Sequence, residues 1–152
     1  MNNISKHITY SEATRSQTAT KNGIENSPSE QQLVAMCILA EKVFEPLRIH
    51  VAGPVAINSF FRSVELNKKL GGSSTSQHCK GEAMDIDDTY GHMSNADMFN
   101  FIKDNLDFDQ MIWEYGNNDN PDWVHVSYKK SGNRKEILRC QRINGKTVYS
   151  HY

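Results

Sequence analysis

The chain has 152 residues, enough for one domain that buries roughly two thirds of the surface its unfolded form exposes, without a staple. Its 17 basic and 18 acidic residues leave a net charge of −1, which gives no electrostatic reason to expect nucleic acid or an anionic membrane as partner. Cys37, Cys79 and Cys140 are odd in number and unevenly spaced, which fits neither a disulfide framework nor a four-cysteine metal site and favours a reducing compartment.

Residues 1–28 are polar and irregular in pattern, with Ser11-Glu12-Ala13-Thr14 predicting at most one short helix before Asn22-Gly23 and Ser27-Pro28. This segment is expected to be peripheral, its order dependent on docking. From Ser29 or Glu30 the apolar positions Leu33, Met36, Cys37, Ala40, Val43 and Phe44 recur at steps of three and four, which predicts an amphipathic helix that Pro46 ends. Val55 to Phe60 reads as a strand with Arg62 just past its end, and Glu65 to Leu70 as a short helix stopped by Gly71-Gly72.

The loop Ser73 to Gln77 then leads to His78. Glu82 to Asp87 reads as a strand with Ala83, Asp85 and Asp87 on one face and Met84 and Ile86 in the core on the other. Ser94 is the expected N-cap of a helix carrying Ala96, Phe99, Phe101, Ile102 and Leu106; Gln110 to Tyr115 and Trp123 to Tyr128 read as strands. The last element is a hairpin, Ile137 to Cys140 and Thr147 to Tyr149, around Asn144-Gly145. With no repeat or linker, residues 1–152 read as a single α+β domain, an antiparallel sheet with helices packed on one side.

The chemistry sits in two stretches. Ser76 to Asp85 reads Ser-Gln-His-Cys-Lys-Gly-Glu-Ala-Met-Asp, and Asp122-Trp123-Val124-His125 follows. His78, Asp85 and His125 together supply two imidazoles and one carboxylate, a three-ligand set for one zinc ion that leaves the fourth tetrahedral position to water, as catalytic sites do. Asp122, three residues before a ligand, is the expected base for that water, with Glu114 at the end of the neighbouring strand as its rival. Ser76 and Gln77 are expected to hydrogen-bond substrate or to shape the loop, and Gly81 to allow close backbone approach. His7, His50, His92 and His151 lie outside any motif and are read as ordinary histidines. Cys79 beside His78 is not read as a nucleophile, since sequence adjacency does not make a nucleophile and base meet in space.

The pattern Ser-x-His-x-x-Gly-x-Ala-x-Asp at 76–85, Asp-x-x-His at 122–125 running on as Val126-Ser127, and Ser59-Phe60-Phe61-Arg62-Ser63 resembles the zinc D-Ala-D-Ala carboxypeptidase family. That family includes cell-wall carboxypeptidases, D,D-dipeptidases and phage L-alanyl-D-glutamate endolysins. Asn67 through Gly72, Ile4 to His7 and Glu12 to Ser16 extend the resemblance to its compact single-domain branch, over about residues 4 to 130. It implies the hedgehog/D,D-peptidase fold, a metallopeptidase acting on peptidoglycan stem peptides, and a substrate-contacting arginine at Arg62. Guanidinium chemistry suits that role, because it binds a carboxylate bidentately or steadies an oxyanion. Both a terminal D,D bond and the internal L-Ala to D-Glu bond stay open.

The start of the chain, Met1 to His7, lacks the apolar stretch of a secretory signal, and no eighteen apolar residues run together. A monomer made in the cytoplasm, with no membrane insertion, is therefore expected. If the resemblance to phage lysins holds, it reaches the wall only on release. The alternative is a non-catalytic zinc-containing binding module of the same fold.

Overall fold

The computed structural model describes residues 3–152; Met1 and Asn2, part of the stretch read for a leader, lie outside them. The N-terminal segment holds more structure than its polarity predicts. β1 (Asn3–Ser5) pairs antiparallel with β2 (Ile8–Thr9), and α1 (Tyr10–Thr14) and α2 (Gln17–Asn22) follow, capped by the side chains of Thr9 and Ser16. Ile4, Ile8 and Ala13 belong to the hydrophobic core, so a few apolar side chains dock an otherwise hydrophilic segment. Glu45 completes the docking: its carboxylate accepts from Ser5 Oγ at 2.6 Å, from the His7 backbone N–H at 2.8 Å, and faces His7 Nδ1 at 2.7 Å.

Burial alone would raise the Glu45 pKa, but the His7 and Ser5 hydrogen bonds outweigh it and bring it below its ordinary value of 4.5. A carboxylate lowered on folding stabilises the protein above its unfolded pKa, and that share is lost as pH falls through the folded value. Glu45→Ala should therefore destabilise the protein by about 1–3 kcal/mol near pH 7. In urea titrations the gap to wild type should narrow in acid.

α3 (Glu30–Leu39) opens on a reciprocal capping box between Ser29 and Gln32, which fixes its start. The helix does not stop at Pro46. It passes through a π-helical turn (Ala40–Phe44) into α4 (Glu45–Val51), with Pro46 in the first turn of the new segment. Proline lacks an N–H and clashes with the preceding turn; the wider turn, in which Glu45 N–H bonds Ala40 O, absorbs that defect and lets the stripe continue. Met36, Leu39, Ala40, Val43, Phe44 and Leu47 are accordingly all buried.

β3 (Ala56–Ser59) leads past Arg62 to α5 (Val64–Lys69), N-capped by Ser63. A 3-10 turn (Gln77–Lys80) carries His78 into β4 (Ala83–Asp87). α6 (Asn95–Asn105) begins at the Ser94 cap as expected, and β5 (Gln110–Glu114), β6 (Trp123–Ser127), β7 (Glu136–Ile143) and β8 (Lys146–His151) complete the chain. Asn144 and Gly145 both take positive φ in the final hairpin, as a tight turn of that type demands.

The α+β expectation holds, but the sheet is mixed rather than antiparallel throughout. Its order is β3-β4-β6-β5-β7-β8, and β5 and β7 run parallel. β6 already occupies one side of β5 as its antiparallel partner, so the chain after Ser127 crosses to the other edge and enters in the same direction as β5. Period-two alternation then sorts the side chains. Met84, Ile86, Met111, Trp113, Val124 and Val126 face the core with α3, α4 and α6, while Asp85, Ile112, Glu114, Trp123 and His125 share the opposite face. No helix among the described residues is long and apolar enough to cross a membrane.

Candidate metal centre and active site

Two strands and one turn build the centre. Asp85 on β4 and His125 on β6 are direct cross-strand partners, and the 3-10 turn lowers His78 over them. One potential ligand atom from each residue lies within 4.8 Å of the others. His125 Nδ1 is 2.9 Å from Asp85 Oδ1, and His78 Nε2 is 3.4 Å from Asp85 Oδ2.

The surroundings fix how His78 is presented. Its Nδ1 lies 2.8 Å from Phe60 O, an acceptor, so in the neutral ring Nδ1 carries the hydrogen and Nε2 keeps its lone pair. That lone pair faces a carboxylate oxygen. Two acceptors pointed at one another call for a cation between them, and His-Asp-His is a donor set that suits zinc. Burial lowers the His78 pKa, with Asp85 pulling against it. Burial would raise that of Asp85, yet its neighbours His78 and His125 outweigh it and hold the carboxyl well below the carboxylate range. A neutral imidazole and an ionised carboxylate are the forms a metal binds.

Gly81 ends the turn with φ +74°, and an added Cβ would stand 2.5 Å from the Gln32 carbonyl oxygen of α3. The close approach expected at this glycine is thus present, and it packs the motif turn onto the core helix. The Arg62 N–H also bonds His78 O, tying the turn to the segment after β3.

Arg62 enters the same space. Its Nε donates to Ser59 Oγ at 3.0 Å and its Nη2 lies 3.4 Å from Asp85 Oδ2. Arg62, Ser76 and Gln77 all line a cleft of about 980 Å³ that holds the three candidate ligands. Ser76 Oγ accepts from the His78 backbone N–H, the loop-shaping alternative for that residue, and Gln77 Nε2 donates to Asp109 Oδ2. Of the aromatics, Tyr115 and Trp123 line the cleft, while Trp113 is core.

The structure does not bring Asp122 into the cleft. It sits in the bend before β6 and is not among the residues that line the cleft. Asp122 is exposed; its backbone N–H donates to Glu114 O and its carbonyl accepts from Asn95 Nδ2, which fixes the loop. Glu114 is in the cleft instead. It pairs with Trp123, two residues from His125 on the same face, and is 7% exposed. Burial raises its pKa; the His125 charge opposes the shift and the Asp85 charge adds to it. A buried carboxyl beside the ligand set is the form a proton acceptor near neutral pH takes.

Asp109 is a second buried carboxylate of the cleft and has no signature in the sequence. Only register and packing reveal it: it directly precedes β5, is fully buried, and collects hydrogen bonds from Gln77 and Arg134.

No curated protein matches the chain. Residues 6–127 match the family model described as Peptidase M15, a span that contains Arg62, Glu114 and all three converging side chains. The chain belongs to the peptidase M15 family.

Proposed function

We propose that the protein is a zinc-dependent peptidase cleaving the stem peptides of peptidoglycan. The observation that carries this reading is the convergence of His78, Asp85 and His125 with the buried Glu114 on one face of the sheet. His78, His125 and the Asp85 carboxylate would hold zinc, which when bound would supply Lewis acidity to the scissile carbonyl and to the attacking water. Glu114 accepts the proton of that water and returns it to the leaving amine. Arg62, steadied by Ser59, orients the peptide through a substrate carboxylate. Asp122 acts only through the loop it closes.

An internal bond is favoured over a terminal one. A groove of about 460 Å³ adjoins the cleft, sharing Arg62, Leu70, Asp85 and Trp123 with it and running on to Arg15 and Ser16. A peptide can therefore extend past Arg62 in both directions, as cleavage between L-Ala and D-Glu requires.

The test is incubation of the zinc-loaded chain with the N-blocked pentapeptide N-acetyl-L-Ala-γ-D-Glu-L-Lys-D-Ala-D-Ala, with products resolved by mass spectrometry. Release of N-acetyl-L-Ala identifies cleavage between L-Ala and D-Glu, loss of D-Ala a carboxypeptidase, and an intact peptide moves the reading to the binding module. Arg62→Lys should lower kcat/KM about tenfold or more, since a point ammonium does not reproduce the planar fork. Full activity in that variant would make Arg62 structural.

A further inference from the structure

A second guanidinium is built into the cleft, after the family match ends at Ser127. Arg134 lies in the crossover between β6 and β7 and lines the cleft together with Lys129, Gln77 and Asp109. Its Nε donates to Asp109 Oδ1 at 3.0 Å and its Nη2 to Asp109 Oδ2 at 2.8 Å. The same carboxylate receives the Arg134 backbone N–H at 3.1 Å and the Gln77 amide at 3.2 Å, with Lys129 Nζ 4.0 Å away.

This use of one edge leaves the other free. Among the described residues Nη1 makes no hydrogen bond; its nearest carboxylate is Glu136, at 3.8 Å, whose Oε1 already accepts from the Gln110 amide at 2.6 Å. The Arg134 side chain is 50% exposed while Asp109 is 0% exposed. A fully buried carboxylate thus holds one edge of the guanidinium rigid and presents the opposite edge to solvent in the cleft. A fork fixed in advance loses little rotamer freedom on binding a second carboxylate.

We propose that Arg134, anchored by Asp109 and flanked by Lys129, is a second carboxylate-binding point of the cleft. The preferred substrate is then a peptide with two carboxylates, one met by Arg62 and the other by Arg134. This rests on the peptidase reading and adds a specificity-determining residue to it.

The pentapeptide above has two such groups, the D-Glu α-carboxylate and the C-terminus. Four forms, with neither, either or both amidated, would be assayed with the full-length wild type, Arg134→Gln and Arg134→Lys. Arg134→Gln should lower kcat/KM on the diacid about ten- to a hundredfold, chiefly through KM. One particular amidation should cost the wild type a similar factor, and the two losses should not add. Arg134→Lys should recover part of the loss. Equal loss on all four forms, or no loss on any, overturns the proposal and leaves Arg134 a structural ion pair. If the wild type cleaves none of the forms, the peptidase reading fails. Calorimetric titration of the same peptides then decides the subsite: at least tenfold weaker binding of the diacid to Arg134→Gln supports it, and equal binding, or none to the wild type, overturns it.

Discussion

Glu114→Gln should abolish most hydrolysis, by on the order of a hundredfold or more, while the protein stays folded and keeps its metal. The amide matches the carboxylate in shape but accepts no proton, so the loss isolates base chemistry from packing. Asp122→Ala should stay within about threefold of wild type, the range of an exposed substitution away from the reacting groups. The pair is decisive because the two acids flank one hairpin: β5 ends at Glu114, β6 begins after Asp122, and only Glu114 shares the face of His125. Steady-state kcat/KM with metal content measured on the same samples checks it. A crippled Asp122→Ala beside an active Glu114→Gln would return the role to Asp122.

His78→Ala should weaken zinc binding by a hundredfold or more, beyond the ten- to hundredfold typical of losing a group that merely supports a ligand. Its ring is buried, oriented by Phe60 O and aimed at Asp85, so no neighbouring side chain replaces its lone pair. Competition against a chromophoric chelator measures the change. An unchanged affinity would remove His78 from the ligand set.

Much of this was legible in the residues, and what was not has physical causes. The alternation of Ala83, Asp85 and Asp87 against Met84 and Ile86 fixed the face of β4 from period two alone, and Ser94 and Asn144-Gly145 carried their local geometry with them. Pro46 misleads because a π-helical turn accommodates it, and nothing in the local pattern announces that turn. The N-terminal segment reads as peripheral because its docking depends on a handful of buried side chains and on Glu45, about forty residues away.

The base assignment turns on where a strand begins. Three residues before His125 falls in the exposed bend ahead of β6, and the acid that lines the cleft comes from the neighbouring strand through the register Glu114 to Trp123. Asp109 lay beyond reach for a related reason. Its partners, Gln77 and Arg134, are separated from it by 32 and 25 positions, and only the fold joins them.

The most direct test of the central claim is hydrolysis of the stem pentapeptide by metal-stripped protein to which zinc is returned in steps. Cleavage absent from the stripped protein and restored at one equivalent of zinc is the predicted result. Cleavage that persists without metal, or stays absent from the fully loaded protein, would contradict it.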